Sequence, residues 1–227
     1  MNKATRLEAV LFDMDGVIVD SEPLWSEAEK RFLARRNLAY SASLKTVMMG
    51  RDARGAVGFL IQHYGLAESP GELIGERNQL IAELFREHLK AMPGALELVS
   101  SVIAAGIVTG LVSSSPRPLM ELALGKLDAT RLFSLTLSGD QVNRGKPAPD
   151  IYITAAEKLG VKPEHCLVIE DAPHGVTAAK LAGMFCLAIS TSAGAAELAM
   201  ADKVVSGFEE VDVQLLQSLM QSKQIPD

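Results

Sequence analysis

The chain has 227 residues, 48% of them hydrophobic and 22% charged, with a formal net charge of −6. That length suits one large domain or a domain carrying an insertion. The acidic balance argues against a general nucleic-acid binder, so any anion must be bound locally by a metal, a lysine or backbone N–H groups. The two cysteines, Cys166 and Cys186, sit in apolar runs and read as small buried hydrophobes rather than a disulfide or zinc framework. The N-terminal stretch is too short in apolar residues for a signal peptide, and no run reaches membrane-spanning length. A cytoplasmic protein, monomeric by default, is the expectation.

The first element is "AVLFD" (9–13), a buried strand that runs into two carboxylates, Asp13 and Asp15, and turns at Gly16. Burying an unpaired carboxylate is costly, and a cation is the economical way to offset it. Residues 21–92 then carry helical periodicity only. "SEPLWSEAEKRFLARRN" predicts a helix with Ser21 as N-cap and Pro23 in its first turn. "ARGAVGFLIQHYG" and "GELIGERNQLIAELFREHLKA" predict two more. "AMPGA" (91–95) returns the chain, placing hinges at 20–22 and 92–94. The expected division is a core of 1–19 and 94–227 with a helical unit of 20–93 inserted.

Strand patterns follow at 107–115, 133–140, 165–171, 184–190 and 203–207. Helices are predicted after the first three of these, in "PRPLMELALGKL", "APDIYITAAEKLG" and "GVTAAKLAGM", and the tail predicts a final helix with a frayed end. Such alternation indicates an α/β fold, a Rossmann-like parallel sheet with helices on both faces. Ligands bind such sheets beyond the C-terminal ends of the strands. Those ends are polar here: "DMD", "SSS" (Ser113, Ser114, Ser115), "SGD" and "IED" with Glu170 and Asp171, while Lys146 follows the third in "GKPAPD". Carboxylates, a hydroxyl, backbone donors and an ammonium on one rim suit phosphoryl transfer with Mg²⁺, a cation that prefers oxygen ligands.

Single motifs have plainer readings. "DMDG" alone is a polar turn, "SSS" alone a helix N-cap, and Lys146 alone a solvated lysine. "GDQVNRGKP" is one residue too long for a phosphate-binding P-loop and carries Pro147 where that loop needs Ser or Thr. "RFLARR" (31–36) reads as a solvated helix face, Trp25 as core of the helical unit or else an apolar wall of the pocket, and His174 as a loop residue rather than a ligand.

In this order and spacing, "DMDGV", the strand ending "VSSS", "GKPAPD" and "IEDAPHG" resemble the four motifs of the haloacid dehalogenase superfamily, over essentially the whole chain. The inserted helices resemble its small cap class, and the branch is similar to the β-phosphoglucomutase-like one, which includes sugar-phosphate phosphatases. The resemblance implies Asp13 as nucleophile and Asp15 as general acid and base. It implies Mg²⁺ held by the Asp13 carboxylate, the Asp15 backbone carbonyl and Asp171, with Glu170 holding a metal-bound water. Ser113, the Ser114 N–H and Lys146 would bind the transferring phosphoryl group, Glu22 would help shape the leaving-group site, and Ser115 would contact substrate. In the cap it suggests Arg51 or Arg54 in a substrate-facing loop and Arg77 with Asn78 on a helix. The implied activity is Mg²⁺-dependent hydrolysis of a small phosphate ester of a sugar or polyol, with neither nucleic acid nor membrane as partner. Resembling β-phosphoglucomutases carry a His where Trp25 stands, which favours a phosphatase over a mutase. A catalytically silent protein of the same fold is the alternative of another class.

Overall fold

The computed structural model describes residues 6–48, 51 and 53–221. It contains a parallel six-stranded sheet of order β3-β2-β1-β4-β5-β6. Its strands are β1 (Ala9–Phe12), β2 (Val108–Ser113), β3 (Leu135–Ser138), β4 (Cys166–Glu170), β5 (Phe185–Ile189) and β6 (Lys203–Val205). The order reverses between β1 and β4, which are direct neighbours with Phe12 opposite Ile169. Such a reversal leaves a crevice at the carboxyl ends of the two strands, where doubly wound sheets bind ligands.

The two-residue period of each strand sends alternate side chains to opposite faces. Val10 and Phe12 of β1, with Leu167 and Ile169 of β4, join one hydrophobic cluster. Ala9 and Leu11, with Cys166 and Val168, join the other. The second cluster is closed by α7 (Asp150–Leu159) and α8 (Pro173–Leu181). The first is closed by α5 (Ala95–Ala104), α6 (Arg117–Lys126) and α9 (Val213–Gln221). Both cysteines are buried and free.

Among the described residues, four helices lie between β1 and α5: α1 (Glu22–Ala34), α2 (Ala42–Met48), α3 (Ala53–Tyr64) and α4 (Pro70–His88). Ser69 and Glu72 form a reciprocal capping box at the start of α4. The two passages that join this helical block to the sheet are paired with each other. Asp20 N–H donates to the Lys90 carbonyl at 3.0 Å and Met92 N–H to the Ile18 carbonyl at 2.9 Å. The block therefore hangs on a short two-stranded tether, and it also rests on α6 through α4.

The structure corrects the sequence reading at four points. The stretches 42–48 and 95–104 are helices that it left unassigned. Ser21 occupies the N-cap position of α1 without a side-chain cap bond; its hydroxyl is committed elsewhere, as described below. His174 lies in the first turn of α8 rather than in a loop. Of "RFLARR", Phe32 and Leu33 are buried, and Arg36 is held by Glu68 and Glu76. No helix among the described residues is long and apolar enough to cross a membrane.

Candidate active site

The site is assembled at the crevice between β1 and β4. Asp13 follows β1 directly, and its N–H continues the sheet ladder by donating to the Ile169 carbonyl at 2.9 Å. The same register brings it beside Glu170, the last residue of β4. The Lys146 ammonium bridges them, 2.5 Å from Asp13 Oδ1 and 2.7 Å from Glu170 Oε1. Glu170 is fixed from further directions. Tyr152 Oη donates to Oε1 at 3.0 Å, and the N–H groups of Asp171 and Ala172 donate to Oε2 at 2.9 and 3.0 Å. Asp171 accepts from the Ser192 hydroxyl, and Thr191 joins it at 3.4 Å. Thr191 also donates to the Gly16 carbonyl at 2.8 Å, tying the loop after β5 to the turn after β1.

Two glycines permit this crowding. Gly16 has φ +76°, and a Cβ there would stand 1.9 Å from Asp171 Oδ2. At Gly175, in the first turn of α8, a Cβ would stand 1.6 Å from Glu170 Oε1. The helix can approach the carboxylate that closely only without a side chain.

Asp15 is oriented by four donors. Ser21 Oγ and Trp25 Nε1 reach Oδ1 at 2.7 and 2.9 Å. Ser113 Oγ and Ser115 Oγ reach Oδ2 at 3.3 and 2.8 Å. Two of these donors belong to the helical block or its tether and two to the end of β2. Trp25 packs against Phe85 and also lines the cleft, as the reading as a pocket wall had it; its polar contact to Asp15 belongs to neither reading.

The electrostatics follow from burial. Desolvation raises the Asp13 pKa to about 8; the charges of Glu170 and Asp15 add to the rise, and Lys146 opposes it. Burial, with repulsion from Glu170 and Asp13, likewise lifts Asp171 well above the usual carboxylate range. For Lys146 burial works against the charged form, but Asp13 and Glu170 outweigh it and hold the ammonium's pKa well above its ordinary value. Carboxyl oxygens of Asp13, Glu170 and Asp171 lie within 4.8 Å of one another. On the rim, among the described residues, the carboxyl groups of Asp13, Asp15, Glu170 and Asp171 share the ammonium of Lys146, and Glu22 adds to them from the helical block. An all-oxygen donor set with surplus negative charge fits a hard divalent cation.

A cleft separates this rim from the helical block. Asp13, Asp15, Lys146, Glu170, Asp171, Ser114 and Ser115 line it from the sheet side. Glu22, Trp25, Glu29 and Arg77, with Tyr40 and Arg51 from the connecting loops, line it from the helical block. Ser113 is fully buried and outside the lining; its hydroxyl bonds Asp15 and accepts the Ser115 N–H at 3.0 Å. Arg54 is exposed, and neither it nor Asn78 lines the cleft. Tyr152, Ser192 and Glu29 were not singled out from the sequence. Tyr152 sits in an ordinary amphipathic helix pattern, Ser192 in an unremarkable polar turn, and Glu29 in a charge-rich helix. Only the fold brings them to the rim.

A family model described as haloacid dehalogenase-like hydrolase matches residues 7–183. The chain is 35% identical over 204 residues to the validoxylamine A 7'-phosphate phosphatase of Streptomyces hygroscopicus subsp. limoneus, covering 90% of this chain and 95% of that protein. It is 32% identical over 212 residues to hexitol phosphatase A of Escherichia coli, covering 92% and 94% respectively. A crystal structure of β-phosphoglucomutase from Clostridium difficile matches with a TM-score of 0.86 over 94% of this chain and 97% of that one. At 23% identity that likeness shows the shared fold.

Proposed function

The chain belongs to the haloacid dehalogenase-like hydrolases, and from that premise we propose a Mg²⁺-dependent phosphatase of sugar or polyol monophosphates that works through an aspartyl-phosphate. Hydrolysis of phosphate monoesters is the activity its relatives are named for. The observation that carries the reading is the convergence of Asp13, Lys146, Glu170 and Asp171 at the β1–β4 crevice, with Asp15 beside them under the helical block.

Asp13 attacks phosphorus and the ester oxygen leaves, forming an acyl phosphate. Asp15 gives its proton to the leaving alcohol, then takes one from the water that cleaves the acyl phosphate. Its four donors hold the carboxylate in place for that return step. Lys146 holds Asp13 and adds positive charge where phosphoryl oxygens gather. Asp13, Asp171 and Glu170, with the Asp15 backbone carbonyl, would hold Mg²⁺, which supplies charge neutralisation to the transferring group. Tyr152 and the N–H groups of Asp171 and Ala172 keep Glu170 in register. The helical block acts as a cap that shields the reacting groups from bulk solvent while admitting the water that cleaves the intermediate.

The test is phosphate release from sugar, polyol, glycolate and nucleotide monophosphates, with Mg²⁺ and with EDTA. The expected result is Mg²⁺-dependent release from hexose or hexitol phosphates. β-Glucose 1-phosphate converted to glucose 6-phosphate without release of phosphate would overturn the hydrolase in favour of a mutase. No turnover of any ester would leave a silent fold.

A further inference from the structure

Glu29 is 4% exposed, yet it lines the cleft shared with Asp13 and Asp15. It belongs to a stripe of α1, Glu22, Trp25, Ser26 and Glu29, spaced three, four and seven residues from its start. That spacing puts all four on one helix face. The stripe is polar and aromatic where a core-facing stripe would be aliphatic.

The two carboxylate oxygens of Glu29 differ in their surroundings. Oε1 is ion-paired with Arg77 Nε, from α4. Oε2 is fully buried and has no hydrogen-bond partner among the described residues. An unpartnered buried carboxylate oxygen is costly, so this one calls for a partner from outside the chain, and the cleft it adjoins is where a ligand group can supply it. Arg77 is committed on the other side too, its guanidinium lying 4.4 Å over the Trp25 ring. Trp25 in turn donates to Asp15. Arg77 and Trp25 thus tie Glu29 to the proton-transfer residue.

We infer that Glu29 reads the leaving group: Oε2 accepts a hydrogen bond from a hydroxyl of the phosphorylated sugar or polyol. Arg77 already balances the Glu29 charge, so the open lone pair favours a neutral hydroxyl over an ammonium. A bidentate-capable carboxylate with one oxygen pinned is an orientation-specific acceptor, and a site built to bond a hydroxyl rejects the analogue lacking it. The inference rests on the phosphatase reading above and narrows its substrates to polyhydroxylated esters.

The experiment compares wild type and Glu29→Gln on the best hexose or hexitol phosphate, on its monodeoxy analogues and on p-nitrophenyl phosphate. The variant amide keeps an oxygen for Arg77 and turns a donor toward the substrate. The expected result is a fall of about 10- to 100-fold in the ratio of kcat/KM for the polyol ester to that for the aryl ester. One deoxy analogue should lose most of its penalty in the variant, since the mutation and the missing hydroxyl remove the same bond. An unchanged or increased ratio would overturn the inference. So would additive losses with every analogue, the result expected if Oε2 holds only a water. Should Glu29→Gln not fold, Glu29→Met with Arg77→Met removes the pair together and is read the same way. A wild type active on aryl phosphate and phosphoglycolate but on no polyhydroxylated ester would overturn the role of Glu29 and leave the phosphatase standing. A wild type inert toward every monoester would overturn both.

Discussion

In the proposed mechanism Asp13 is the nucleophile, and it combines burial with a salt bridge to Lys146. Asp13→Asn preserves shape and removes the nucleophile, so steady-state turnover should fall by more than about 10³-fold with the far-UV spectrum retained. An active, folded Asp13→Asn protein would remove that residue from its role. The same carboxyl couples stability to pH. Its pKa in the folded protein, about 8, lies above the ordinary value of 3.8. The folded state therefore binds the extra proton between those values, and metal-free stability falls as pH rises from 4 toward 8. Mg²⁺ competes with that proton, so its apparent affinity should weaken about tenfold per pH unit below 8. Thermal melts with graded Mg²⁺ at pH 6, 7 and 8.5 would show the stabilisation growing with pH; a pH-independent effect would contradict the assignment. Asp13 and Asp15 are legible in the sequence because two carboxylates at the end of an apolar run are conspicuous. Glu29 is not, since in "SEAEKRFLARR" it looks like one more solvated charge. Its meaning depends on Arg77, 48 residues away.

Among the elements, α8 has the tightest relation to the site. Its Gly175 lies against Glu170, the carboxylate that Lys146 and Tyr152 also hold. Gly175→Ala must push Glu170 aside. Such overpacking costs about 1–3 kcal/mol of stability. A displacement of that order at the rim should also cost about 100-fold in kcat/KM. Urea unfolding and phosphate release measure the two; a variant that is both stable and active would show that Glu170 can move freely. The buried strands were readable because β1, β4 and β5 are apolar on both faces, which leaves runs such as "CLVI" and "FCLAI" with little alternative. α5 was passed over although Ala95, Leu98, Val99 and Val102 stand at i, i+3, i+4 and i+7, the spacing of a buried helix face. α2, seven residues long, is too short to show periodicity. The capping function expected of Ser21 is absent because its backbone is already helical (φ −96°, ψ −17°) where a capping residue is extended; its hydroxyl donates to Asp15 instead.

In the whole molecule, the helical block and one face of the sheet share a continuous hydrophobic cluster. Phe32, Leu80 and Phe85 of the block belong to the same packed set as Val10, Phe12 and Leu187 of the sheet. Calorimetry should therefore give a single transition whose van't Hoff and calorimetric enthalpies agree. Two resolved transitions would mean that the block folds independently of the sheet. The paired tether at residues 18–20 and 90–92 adds to this coupling, since neither passage can fray without releasing the other. Trp25 is the chain's only tryptophan, and its indole spans the seam between the block and the rim, bonded to Asp15 and covered by Arg77. Its fluorescence is therefore a built-in gauge of the seam. Lifting the block would strip the indole of the Asp15 carboxylate while leaving the Arg77 guanidinium over its ring, so emission recorded in a stopped-flow instrument would time opening and closing without any attached dye.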